Sequence, residues 1–132
     1  MRRFYLDYNK WICGRPNHNE NRDNCLGNGY TGLLNDKGLM CCLGQFCSQA
    51  GYTDDVIASF SMPNYTFTDD SLFVTGREPS QFSVNAAEIN DSLYKSVAQK
   101  VKELLVLCAE NNVELTLVNF PENILEQVSV SQ

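Results

Sequence analysis

The stretch LYKSVAQKVKELLVLCAENNVELTL, residues 93–117, decides the fold. Tyr94, Val97, Val101, Leu104, Leu105 and Cys108 recur at the spacing of one helix face, and Lys95, Gln99, Lys102, Glu103 and Glu110 lie largely off it. That spacing predicts a helix from about Leu93 to Asn111. Asn111-Asn112 breaks it. Val113, Leu115 and Leu117 then alternate with Glu114 and Thr116 in a strand that Pro121 ends. Upstream, Phe82, Val84 and Ala86, with Ile89, read as a strand running into Asn90-Asp91-Ser92, any of which caps a helix N-terminus. Strand, helix and strand joined this way predict a right-handed crossover between parallel strands if both share a sheet. The alternative is a helix laid on an antiparallel sheet.

Toward the N-terminus, residues 52–80 read as irregular chain with one or two strands, including Leu72-Phe73-Val74 ended by Gly76. Leu39 to Ala50 is helical in pattern, with Leu39, Cys42 or Leu43, Phe46, Cys47 and Ala50 on one stripe and Gly51 as the C-cap. Gly44 inside that helix costs about 1 kcal/mol relative to Ala, which points to a close approach by another backbone. Asn35-Asp36-Lys37-Gly38 is a turn. Residues 14–32, rich in Gly, Asn and Pro, form a long loop. Phe4, Leu6 and Tyr8 alternate with polar neighbours as a first strand, continued by Trp11-Ile12-Cys13. No internal repeat is visible. The expectation is a single domain over residues 1–132. Its class is α+β: one small mixed sheet, a long C-terminal helix in a strand–helix–strand unit, and a shorter cysteine-rich helix.

The chain has 132 residues and a net charge of −6. Residues 1–37 hold six Lys/Arg against four Asp/Glu, a balance of +2, and residues 38–132 hold four against twelve, a balance of −8. An acidic chain does not broadly attract phosphate backbones, so nucleic acid is disfavoured as a partner. Arg2, Arg3, Lys10, Arg15 and Arg22 are either solvated surface charge or a local patch for an anion. No apolar run is long enough to span a membrane. The N-terminus lacks the apolar core of a signal peptide, so a cytoplasmic location is expected. In that reducing setting Cys13, Cys25, Cys41, Cys42, Cys47 and Cys108 are thiols or metal ligands, not a disulfide framework.

Adjacent Cys41 and Cys42 open the predicted helix, where unpaired N–H groups and the helix dipole favour thiolate. They read in three ways: buried small apolar residues, a nucleophile served by a base such as His18, or metal ligands with Cys13, His18, Cys25 and Cys47. For zinc, the paired Cys knuckles of a structural site are missing. Trp11 beside a Gly-rich loop is either a core aromatic or a stacking platform for a flat ligand. The stretch 25–32 lacks a Walker lysine and the dinucleotide-binding pattern. Glu88-Ile89-Asn90-Asp91 lies where strand meets helix, and serves either as a cap or as ligand contacts.

Trp11-Ile12-Cys13-Gly14, Leu26-Gly27 with Gly29 and Thr31, Leu33-Leu34-Asn35, Gly38 and Cys41-Cys42-Leu43-Gly44 together resemble an uncharacterised family of small bacteriophage and prophage proteins. The similarity extends to Glu88-Ile89-Asn90-Asp91 and to the strand at Val113-Glu114-Leu115. The chain departs from the family by a longer Asn-rich loop at 15–24, which adds His18 and Cys25. The resemblance implies a phage setting, acting in the host cytoplasm, and implies no reaction. The leading expectation is a non-catalytic accessory protein that binds a host protein or a small host metabolite such as a nucleotide signal. Its candidate ligand-binding residues are Trp11, Asn35, Cys41, Cys42, Asn90 and Asp91. The alternatives are a thiol-dependent enzyme using Cys41 or Cys42, and a zinc-stabilised interaction module.

Overall fold

The structure, a computed structural model, describes residues 1–14, 25–26, 32–35 and 37–130. In chain order the elements are β1 (Arg2–Asp7), β2 (Cys13–Gly14), β3 (Cys25–Leu26), α1 (Cys42–Gln49), α2 (Asp54–Ala58), β4 (Val74–Thr75), β5 (Glu78–Pro79), α3 (Gln81–Asp91), α4 (Val97–Glu110), β6 (Val113–Val118) and α5 (Glu122–Val130). The fold is α+β. Among the described residues its strands form three two-stranded ladders: β1 parallel to β6, β2 parallel to β3, and the β4–β5 hairpin.

The parallel partner of β6 is β1, at the opposite end of the chain, with Arg2 opposite Val113 and Asp7 opposite Val118. The segment read as a strand at 82–89 is α3. Phe82, Val84 and Ala86 satisfy a period of two, but the residues that bury are Phe82, Ser83, Ala86 and Asn90, a helical set. Ser80 starts this helix, accepting a hydrogen bond from the Ser83 N–H. A second cap, Ser96 accepting from the Gln99 N–H, starts α4 at Val97. Tyr94 therefore precedes the helix instead of lying on its apolar face. β6 ends at Val118, before the positive φ of 61° at Asn119, and Pro121 instead opens α5, where the Ile124 and Leu125 amides donate to its carbonyl.

Alternation along β1 buries Phe4 and Leu6 on one face. Phe4 stacks on Phe46 of α1, with ring centroids 4.8 Å apart, and lies 6.2 Å from Phe73. Trp11, Phe46 and Phe73 are fully buried. Each such side chain contributes about 1.5–3 kcal/mol from removal of apolar surface from water. α4 packs on β6 and α1 on β1, and α5 and α3 pack against α4.

Two features fix α1 in place. A Cβ added at Gly44 would lie 1.8 Å from the Leu33 carbonyl oxygen, so only glycine lets that backbone pass. Gln45 and Gln49, one helical turn apart, pair with the outer edge of β1. Gln49 Oε1 accepts from the Tyr5 N–H at 2.7 Å and its Nε2 donates to the Tyr5 carbonyl at 2.8 Å. Gln45 does the same for Asp7, at 2.8 and 3.2 Å. Two side-chain amides thus take the place of a neighbouring strand.

Candidate functional site

Five of the six candidate ligand-binding residues gather around the end of α3. Asn90 sits on the buried face of that helix and is fully enclosed. Its Oδ1 accepts from Trp11 Nε1–H at 2.6 Å and from the Cys42 backbone N–H at 3.0 Å. Its Nδ2 donates to the Ile12 carbonyl at 3.2 Å and to Asp91 Oδ1 at 3.0 Å. One side chain therefore ties the segment after β1, the first turn of α1 and the end of α3 together. The amide is spent on these contacts, because Oδ1 has two lone pairs and Nδ2 two protons.

A residue the sequence reading missed completes the node. Lys100 of α4 is fully buried, and its Nζ donates to the Asn90 backbone carbonyl at 2.9 Å. That carbonyl lies at the end of α3, where helix carbonyls lack intrahelical partners. The signal was present: position 100 lies three residues after Val97 and four before Leu104, both on the apolar stripe. A lysine there is a charge directed inward.

Trp11 is fully buried, with Phe120 tilted against it at 5.9 Å between centroids. A stacking platform needs an open ring face, and this ring is enclosed. Asn35 does not join the group. Its Oδ1 accepts from the Lys37 and Leu39 amides at 3.0 and 2.9 Å, which closes its own turn. The segment 88–91 is the last turn of α3 instead of a strand–helix mouth.

The cysteine doublet splits into two environments. Cys41 is the N-cap of α1, and its sulfur accepts from the Gly44 N–H at 3.4 Å. Cys42 is inside the core, with its thiol directed at the Ala86 carbonyl at 3.7 Å. Burial pushes the Cys42 thiol well above its ordinary range, aided by the neighbouring Cys41, Cys108 and Asp91. Burial likewise pushes Cys47 and Cys108 up to about 12. These three are neutral at physiological pH and poor nucleophiles.

Cys41, Asn90 and Asp91 line a cavity of about 40 Å³ together with Leu43, Ser61, Met62 and Ala87. That volume admits a water or two, whereas pockets for drug-sized ligands occupy roughly 300–1,000 Å³. Among the described residues no three His, Cys, Asp or Glu side chains stand close enough to share a metal ion. His18, the side chain of Cys25, and the stretch 27–31 lie outside the described residues. No described helix is long and apolar enough to cross a membrane. Comparison with protein-family models, curated proteins and solved structures finds no match for the chain.

Proposed function

We propose that this chain is a phage-encoded accessory protein that acts in the host cytoplasm by non-catalytic binding, with a host protein as its partner. The observation that carries this reading is the closed accounting at Asn90. The groups best suited to grip a metabolite, Trp11 Nε1 and the Asn90 amide, are occupied by one another. The cavity beside them is water-sized. Recognition then falls to the surface. Directly after this node, the connection between α3 and α4 presents Leu93 at 37% and Tyr94 at 92% exposure. Lysine pairing holds that connection at its end, with Lys95 on Glu103 of α4, and Ser92 Oγ accepts from the Tyr94 N–H at 3.2 Å. A tyrosine projected from a braced loop is the side chain most suited to anchor a protein interface.

The test is a photo-crosslinking residue at position 94, used in infected cells, with Tyr94→Ala carried through pull-downs alongside. The reading expects one recurrent host protein, lost in Tyr94→Ala while the circular dichroism spectrum stays unchanged. A small molecule that co-purifies in native mass spectrometry, with no host protein at position 94, would replace it with the metabolite reading. The thiol alternative narrows to Cys41, which accepts from the Gly44 N–H at the helix N-terminus and belongs to the cavity lining. Rapid iodoacetamide labelling of Cys41 below pH 8 would favour it.

A further inference from the structure

The two edges of the β1–β6 ladder are treated differently. The Tyr8 N–H donates to the Val118 carbonyl at 2.9 Å, which fixes the phase of the parallel ladder. Residues 114, 116 and 118 of β6 therefore direct their N–H and C=O groups at β1, and Val113, Leu115 and Leu117 direct theirs outward. On β1 the outward groups of Tyr5 and Asp7 are sealed by Gln49 and Gln45. On β6 the outward groups of Leu115 and Leu117 meet no partner among the described residues. α5 packs on α4 and does not run along β6. The edge also lacks the usual deterrents to pairing. Its sequence Val-Glu-Leu-Thr-Leu-Val holds no lysine and no proline, and Glu114 is already paired with Arg3 at 2.9 Å.

We infer that β6 is a dimer edge, which pairs antiparallel with β6 of a second copy about a two-fold axis at Leu115. That axis sets Leu115 opposite its own copy and Val113 opposite Leu117, all outward-bonding residues, so their groups exchange hydrogen bonds across the axis. On the core side the central row reads Phe4, Leu115, Leu115, Phe4, which is apolar throughout. On the open side Glu114 falls opposite Thr116, and no like charges face each other. Shifting the axis to Glu114 would place two glutamates opposite one another, a destabilising arrangement. The product is one four-stranded sheet, within the usual range for sheet size, in place of two isolated ladders. Because each chain carries −6, association strengthens with salt.

Sedimentation equilibrium of the full chain tests this. A species of twice the chain mass is expected, and its population rises with protein concentration. Thr116 is exposed on the open face, so its substitutions leave the core alone. Thr116→Glu sets like charges opposite each other twice per dimer, and weakens association by roughly 2- to 30-fold. Thr116→Lys sets a lysine opposite Glu114 and tightens it by a similar factor. Leu117→Pro removes one outward N–H without touching the ladder to β1, and abolishes the dimer. A monomer at every concentration up to about 1 mM overturns the inference, as does a dimer indifferent to Thr116→Glu. Weakening by both Thr116 variants overturns the Leu115 axis, since it places Thr116 opposite itself.

Discussion

Replacing Asn90 by alanine removes the side chain on which three segments converge. The Trp11 Nε1–H and the Cys42 N–H, now 2.6 and 3.0 Å from Oδ1, both lose that acceptor inside the core. A buried donor left without an acceptor costs about 1–3 kcal/mol, so the pair costs about 2–6 kcal/mol. The Ile12 carbonyl, which loses the Nδ2 donor, adds to this. Against a total stability of about 5–15 kcal/mol for a domain, that loss is severe. The assay is urea unfolding followed by fluorescence, because Trp11 is the only tryptophan and reports the node directly. With a slope of about 2 kcal/mol per molar urea, the midpoint falls by about 1–3 M. The native emission also shifts, since the indole loses its buried hydrogen bond. A midpoint within about 0.3 M of the parent would refute the reasoning, because water or a neighbour would then be replacing Asn90 at little cost.

Gly44→Ala gains about 1 kcal/mol of helix propensity, yet its Cβ would sit 1.8 Å from the Leu33 carbonyl oxygen. The steric term wins, and the urea midpoint drops by at least about 1 M; an unchanged or raised midpoint would show that Leu33 yields freely. The thiols of Cys42, Cys47 and Cys108 have folded values raised by burial, the latter two to about 12 from an ordinary 9.0. Their contribution to stability is complete below pH 9 and is lost as pH climbs from there toward 12, because the unfolded chain releases those protons first. Urea midpoints measured from pH 8 to 10.5 should therefore decline above pH 9. Iodoacetamide at pH 8.5 should spare all three thiols in the folded protein and label them once it is unfolded. Labelling of any of them at the unfolded rate in the native state contradicts the assigned burial.

The candidate site was partly legible because some of its signals are composition against pattern. Trp11, Cys42 and Asn90 stood out as residues whose types are rare or whose neighbours are apolar, and they do meet. Their purpose was not legible, since hydrogen-bonding capacity is the same whether it faces a ligand or another side chain. Asn35 shows the limit from the other side. Its local turn chemistry was readable in Asn35-Asp36-Lys37-Gly38, and that turn consumes its oxygen. At Lys100 a charge on an apolar stripe reads as an interruption until its acceptor, the Asn90 carbonyl ten residues earlier, is seen.

By itself the sequence determined what depends on neighbours along the chain. The amphipathic stripe of α4, the alternation of β1 and β6 and the helix opened by the cysteine doublet are all short-range periodicities, whereas the need for glycine at position 44 comes from the Leu33 carbonyl packed against it. Tertiary structure decided what depends on partners far away in the chain. It chose helix over strand for residues 81–91, because Phe82 and Ala86 fit either period until burial of Ser83 and Asn90, and not Val84, selects the helical one. It brought β1 to β6 across more than a hundred residues, and it gave one edge of that ladder to two glutamines while the other meets no partner among the described residues. Backbone hydrogen-bonding capacity is identical at every non-proline residue, so no sequence pattern records which groups find partners; only the packed chain does.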